Sequence, residues 1–141
     1  MDVAEVMSAE VEFIAPEATA QEAAELMGEL EVGALPVGSA EDLRGVVTDR
    51  DLLYRVVAAG RDPASLRVRE VMSSPAVTCR PNDTLRQAMD LMTAQNLRRL
   101  AVQDAQGKVV GWVTLADVAR RLLVEDAGLQ QALRGLTESA A

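Results

Sequence analysis

The sequence predicts an α+β fold made of two tandem strand–helix–strand–strand–helix units, written βαββα. Three observations predict it. The chain of 141 residues repeats itself once, and each copy carries capped, amphipathic helical segments. Short apolar runs bounded by turn residues lie between those segments and are typical of strands. A chain of this length buries enough surface to fold without a disulfide or a metal.

The internal repeat is collinear and therefore not a matter of chance. The opening segment Val3–Ser8 recurs as Val68–Ser73, 65 residues later. The later segment Gly45–Thr48 recurs as Gly111–Thr114, 66 residues later, so one residue has entered a turn of the second copy. A repeat of this kind means that one supersecondary unit has been duplicated.

The first strand and first helix of each copy come next. The predicted strands are Val11–Ile14 and Ala76–Cys79. Thr19 with Glu22, and Thr84 with Gln87, fit the capping box that satisfies the first free amides of a helix. Behind each cap, apolar residues recur at i, i+3, i+4 and i+7, which predicts one buried helical stripe.

The remaining elements follow in the same order in both copies. The second strands are predicted at Ala34–Val37 and Leu100–Gln103, each followed by a polar turn. The third strands end at Thr48 and Thr114, where the second helices begin. Those helices are predicted over 49–59 and over 115 to about 124. The expected organisation is a first repeat at 1–62, a second at 63–126, and a helical or frayed tail at 127–141.

Composition and charge exclude several classes of function. The net charge is −8, and an acidic surface repels the phosphates of nucleic acids. The chain has no histidine and one cysteine, Cys79, so neither a nucleophile–base pair nor a metal site can be assembled readily. We expect no enzymatic activity and no bound cofactor.

Location follows from what the sequence lacks. No apolar run approaches the ~18 residues that a membrane span needs, and the acidic start resembles no signal peptide. A single cysteine permits no intrachain disulfide and suits a reducing compartment. We therefore expect a cytoplasmic protein that binds neither membranes nor nucleic acid.

The chain resembles the tandem CBS-domain proteins of bacterial type. The Val-x-Glu-Val-Met-Ser openings, Val32–Val37, the run Gly45–Asp51 and the linker Ala59–Pro63 carry the resemblance, which covers Val3 to about Val124. It implies two repeats packed through their sheets about a pseudo-two-fold axis, with two clefts between them. It also implies adenosine-containing ligands such as AMP, ADP or ATP, a homodimer, and a regulatory action on another protein.

The resemblance also implies a set of ligand-binding residues. Asp51 and Asp117 would hold ribose hydroxyls, and Thr48 and Thr114 would lie near the phosphate. The basic pair Arg98 and Arg99 precedes the second strand of the second repeat, so we expect its cleft to bind anions better. The remaining candidate contacts are Ala34, Pro36, Val77 and Thr78.

Each of these features has a plainer structural interpretation. A Thr with an acidic residue three positions later is also a helix cap. Arg98 and Arg99 could be solvated surface charges, and Trp112 in an apolar strand suits a core position better than a ligand contact. Gly45 and Gly111 are expected to permit a close backbone approach.

Two functions remain open from the sequence. The first is a regulatory module that binds an adenosine-containing nucleotide and acts on a partner in trans. The second is a structural dimerisation or interaction module that binds no ligand. Nothing in the sequence supports an enzyme.

Overall fold

The structure is a computed structural model that describes residues 1–125, 131, 134 and 135. It confirms the α+β fold with two tandem repeats, of which the second is a complete βαββα unit and the first lacks its leading strand. The helices are α1 (Ala20–Leu30), α2 (Asp49–Leu52), α3 (Val68–Val71), α4 (Leu85–Gln95) and α5 (Leu115–Glu125), with a 3₁₀ turn at Val3–Glu5. The strands are β1 (Ala34–Gly38), β2 (Leu43–Thr48), β3 (Thr78–Cys79), β4 (Arg99–Gln103) and β5 (Val109–Thr114).

The helices α1 and α4 begin where their caps predict. Thr19 and Thr84 each accept a hydrogen bond at 3.1 Å from the amide of the residue three positions later. The reciprocal half of the box forms only in α4, where the Thr84 amide donates to Gln87 Oε1 at 2.8 Å. Both helices end on a left-handed residue, Glu31 or Asn96, with φ of 56° and 55°.

The two sheets differ, and one predicted strand is wrong. In the second repeat β3 pairs parallel with β4, which pairs antiparallel with β5. In the first repeat β1 pairs with β2, but Val11–Ile14 is no strand, because only Ile14 forms an isolated bridge. Pro36 occupies the position of Ala101 and has no amide hydrogen, so one bond of the parallel ladder cannot form.

The second helices differ as well. The predicted helix over 49–59 is α2 continued by a π-helical turn at Leu53–Val57. Its partner α5 is a regular α-helix that ends within a residue of the prediction. The predicted tail at 127–141 lies outside the described residues, apart from helical positions 131, 134 and 135.

The two hydrophobic cores exchange their opening segments. Val3, from the start of the chain, is fully buried in the core of the second repeat. Val68 and Val71, from the second opening, are fully buried in the core of the first. Each repeat therefore completes the apolar core of the other, and the boundary at 62/63, which stays a prediction for the duplicated sequence, does not separate two independent cores.

Hydrogen bonds repeat this exchange with pseudo-two-fold symmetry. The Val3 amide donates to the Asp83 carbonyl at 2.8 Å, and the Val68 amide donates to the Ala18 carbonyl at 2.8 Å. Ser8 and Trp112 exchange a pair of backbone bonds, and Ser73 and Val46 exchange the equivalent pair. The openings that identify the duplication are thus the segments that join the repeats.

Gly45 and Gly111 lie where these openings cross the third strands. A Cβ on Gly45 would stand 2.5 Å from the Ser73 carbonyl oxygen and 3.0 Å from the Met72 sulfur. A Cβ on Gly111 would clash with the Met7 side chain and lie 3.1 Å from the Ser8 carbonyl oxygen. The expected close backbone approach is confirmed at both positions.

Candidate ligand-binding cavity

A cavity of about 930 Å³ lies between the repeats, within the size range of small-molecule sites. One wall comes from the first repeat, namely the segment after the opening, the end of α1 and the start of β1. The other comes from β4, β5 and the first turns of α5. Its lining residues are Ser8, Glu10, Val11, Glu12, Leu30, Glu31, Val32, Gly33, Ala34, Leu35, Pro36, Arg98, Arg99, Trp112, Thr114, Leu115, Ala116, Asp117 and Ala119.

Thr114 and Asp117 form the predicted cap at the start of α5, and both line the cavity. The Asp117 amide donates to Thr114 Oγ1 at 3.1 Å, and the Thr114 amide donates to Asp117 Oδ2 at 3.3 Å. Arg120 pairs with Asp117 Oδ1 at 2.8 Å, yet 31% of the Asp117 side chain stays exposed. The capping interpretation is correct here, and it leaves the carboxylate accessible from the cavity.

Thr48 and Asp51 form the equivalent cap at α2, but neither lines this cavity. The Thr48 amide donates to Asp51 Oδ2 at 3.0 Å, and the Ser73 hydroxyl donates to Oδ1 at 3.1 Å. Arg55 lies 3.8 Å from Oδ1. Asp51 is only 8% exposed, so its acceptor sites are already used by the protein.

The serine at the end of each opening accounts for this difference. Ser73 turns its hydroxyl onto Asp51. Its counterpart Ser8 donates instead to the carbonyl of Glu10 at 3.2 Å. No described hydroxyl therefore covers Asp117, and the two aspartates have different environments despite their equivalent positions.

The arginine pair also lines the cavity, with two distinct environments. Arg98 is exposed and Arg99 is half-buried. Arg99 donates from Nη1 to the carbonyl oxygen of Gly33 in the other repeat at 3.3 Å. The same oxygen accepts the Asp49 amide at 2.9 Å. The interpretation of Arg99 as plain solvated charge is therefore wrong.

The other predicted contacts divide between the cavity and its surroundings. Ala34 and Pro36 are buried in β1 and line the cavity. Thr78 pairs with Ala101 in the sheet, and Val77 packs against the core of the second repeat. Neither Val77 nor Thr78 lines the cavity, and a ligand role for them stays a prediction.

Sequence reasoning missed Trp112, which is half-buried and lines the cavity rather than the core. The signal was present: side chains two apart on a strand share a face, so Trp112 lies on the face of Thr114. It also missed Glu10, Glu12 and Glu31: Glu12 lies within the segment that was assigned to a strand, and Glu10 directly precedes that segment.

Comparison with known proteins gives the family. The CBS domain family profile matches residues 3–58 and 68–124. The CBS domain-containing protein YhcV of Bacillus subtilis is 43% identical over 117 residues, spanning 83% of this chain and 82% of YhcV.

Two solved structures show related assemblies or complexes. CBSX2 in complex with AMP has a TM-score of 0.73 at 29% identity, over 86% of this chain and 96% of that one. The hexameric CBS-CP12 protein from bloom-forming cyanobacteria has a TM-score of 0.75 at 26% identity, over 97% and 91%. With two profile matches that coincide with the two structural repeats, this chain belongs to the CBS domain family as a tandem pair.

Proposed function

We propose that the chain is a regulatory module that binds an adenosine-containing nucleotide in the cavity and acts on a partner protein in trans. The observation that carries the proposal is the accessible carboxylate of Asp117 beside Thr114, Arg98 and Arg99 in one cavity. The AMP bound to CBSX2, a relative of the same fold, supports the same ligand class.

The ribose is suited to Asp117. Its two adjacent hydroxyls are donors, and a carboxylate accepts such donors in charge-assisted hydrogen bonds. Asp117 keeps 31% of its side chain exposed, whereas Asp51 is buried among donors of the protein itself. We therefore expect one nucleotide per chain, in the cavity of Asp117.

The phosphate is suited to the start of α5 and the two arginines. The first turn of this 11-residue helix carries a partial positive charge. The amides of Leu115 and Asp117 already donate to the Arg98 carbonyl and to Thr114 Oγ1, so the Ala116 amide is the one that a phosphate would use. Guanidinium groups bind phosphate oxygens through paired donors. Arg99 is already oriented by its bond to Gly33, so little side-chain entropy would be lost on binding.

The adenine is suited to the apolar part of the cavity. Val11, Val32, Ala34 and Pro36 line one wall, and Trp112 offers an aromatic ring. A flat heteroaromatic base is buried favourably against such surfaces.

Regulation would follow from where the ligand lies. Both repeats contribute walls, so a ligand would contact both and favour one relative packing. The size of any response is set by the difference in affinity between the two packings. A partner protein would then bind one packing in preference to the other, and we expect this to happen in the cytoplasm.

A second candidate is the ligand-free dimerisation module. It is favoured by exposed apolar side chains on the second helices: Leu53, Tyr54 and Val57 are 55%, 59% and 70% exposed, and Val124 is 67% exposed. Burying such residues in a homodimer would be favourable. Within the described residues, no helix combines the length and apolarity that crossing a membrane requires.

Calorimetric titration and thermal unfolding with adenosine, AMP, ADP and ATP test the proposal. A ligand at a hundred times its Kd should raise the free energy of unfolding by about 2.7 kcal/mol. Asp117→Ala should remove this stabilisation, and Asp51→Ala should retain it. Light scattering reports the oligomeric state in parallel, and a stable dimer that binds none of these compounds would favour the second candidate.

A further inference from the structure

The lining of the cavity holds four acidic residues besides its two arginines. Glu10, Glu12 and Glu31 line it together with Asp117. No ion pair within 4.0 Å joins any of the three glutamates to another described residue, whereas Asp117 is paired with Arg120. Their negative charges are therefore not cancelled locally, and the lining carries more acids than bases.

These acids are peculiar to this cavity. The equivalent positions 65 residues later hold Pro75, Val77 and Asn96, none of which is charged. The duplication therefore kept the fold while the three glutamates arose, or were kept, on one side only. Their placement is not a general requirement of the βαββα unit.

Glu31 lies in the chain next to the segment that contacts Arg99. It ends α1 in the left-handed conformation, with its amide bonded to the Met27 carbonyl. Two residues later, the Gly33 carbonyl accepts the guanidinium of Arg99. A chain of phosphates extending beyond the arginines would thus meet a negative wall.

We infer that this cavity selects adenosine ligands by charge, taking one phosphate and rejecting a triphosphate, with Glu10, Glu12 and Glu31 as the selectivity residues. The inference rests on the proposed adenosine site. Two guanidinium groups and a helix start can balance a monophosphate. Each further phosphate adds negative charge to a cavity that already carries these carboxylates, and a cavity with low-dielectric walls strengthens that repulsion.

Two triple variants test the inference at equal net charge. The first, Glu10→Gln with Glu12→Gln and Glu31→Asn, removes the acids of the cavity; Asn is the residue that the second repeat itself uses at the left-handed position, Asn96. The control, Glu22→Gln with Glu25→Gln and Glu41→Gln, removes three exposed acids outside the cavity. Each triple lowers the negative charge by the same amount, so long-range effects are matched.

Affinities for adenosine, AMP, ADP and ATP are measured by calorimetry without divalent cations, and circular dichroism checks folding. In the unmodified protein ATP should bind about tenfold or more weakly than AMP, corresponding to repulsion of roughly 1.4 kcal/mol. The cavity triple should raise the ATP affinity, so that AMP binds only about threefold more tightly than ATP, or less. In the control triple the ratio of the AMP and ATP affinities should stay within about twofold of its value in the unmodified protein. Raising the ionic strength should also narrow the ratio, because salt screens the carboxylates.

The outcomes separate the two levels of the argument. If ATP binds as tightly as AMP, or if the control triple changes the ratio as much as the cavity triple, charge selection is overturned while the adenosine site stands. If adenosine and all three nucleotides fail to bind, the proposed function is overturned, and the selectivity falls with it.

Discussion

The guanidinium of Arg99 donates a hydrogen bond at 3.3 Å to the carbonyl oxygen of Gly33, which belongs to the other repeat. A Cβ on Gly33 would lie 3.2 Å from Arg99 Nη2 and 3.1 Å from Asp49 Oδ2, so these two side chains pack tightly against this position. One arginine thus connects the repeats and faces the cavity. If the proposed ligand binds here, this contact would link its binding to the packing of the two halves.

Replacing Arg99 should affect binding more than stability. Arg99→Ala removes a charged donor from the cavity and should weaken AMP binding by about tenfold or more. Arg99→Lys keeps the positive charge but loses the paired donors of the planar guanidinium, so its AMP affinity should lie between those of Arg99→Ala and the unmodified protein. The cost to the free energy of unfolding should be about 1 kcal/mol, since the group is partly exposed. Calorimetry and urea unfolding measure the two effects, and equal AMP affinity in Arg99→Ala and the unmodified protein would contradict the prediction.

The two aspartates should separate stability from binding. Asp51→Ala leaves the Thr48 amide and the Ser73 hydroxyl without their acceptor, so the free energy of unfolding should fall by about 2–3 kcal/mol. Asp117→Ala removes a more exposed cap and should cost about 1 kcal/mol, but it should abolish AMP binding. Urea unfolding with and without AMP compares them. Loss of AMP binding in Asp51→Ala at full folding would mean that the first repeat also holds ligand.

The glycines under the openings should not tolerate a methyl group. Gly45→Ala places a Cβ against the Ser73 carbonyl and should destabilise the fold by about 1–3 kcal/mol. Gly111→Ala should cost less, because the Met7 side chain can move. Gly28 in α1 has nothing within 4 Å of its Cβ position, so Gly28→Ala should stabilise by about 0.5–1 kcal/mol. Thermal unfolding ranks the three variants. A Gly45→Ala protein as stable as the unmodified one would argue against the close approach of the Ser73 carbonyl to Gly45.

Cys79 should make stability depend on pH in the alkaline range. Burial, and secondarily the nearby Asp83 carboxylate, raises the pKa of its thiol from 9.0 to about 11. The unfolded chain then loses the proton first, so this contribution is complete below pH 9 and is lost as the pH rises towards 11. It amounts to about 2–3 kcal/mol. Between pH 9 and pH 11 the free energy of unfolding should fall more steeply with pH in the unmodified protein than in Cys79→Ala. Identical slopes of the two pH dependences would exclude the effect.

The helix starts and the duplication could be predicted because their causes are local. The hydroxyls of Thr19 and Thr84 cap helices wherever the next residues are helical, and a repeat is visible in any alignment of a chain with itself. The absence of the first strand in the first repeat could not be predicted in this way, because it depends on pairing with a distant strand. In that strand Pro36 has no amide hydrogen to donate. Trp112 was misassigned for a different reason: alternation gives the face of a strand, but not whether that face meets a core or a cavity.

The sequence by itself determined the duplication and the helix caps, since a repeat can be read directly along the chain and a cap depends on neighbours within a few positions. Only the tertiary structure decided that Asp117 faces an open cavity while Asp51 is covered by the hydroxyl of Ser73. Ser73 and Ser8 occupy equivalent positions, but the Ser73 hydroxyl donates to the Asp51 carboxylate and the Ser8 hydroxyl donates to a backbone carbonyl. That choice depends on contacts between distant segments, which no local pattern encodes.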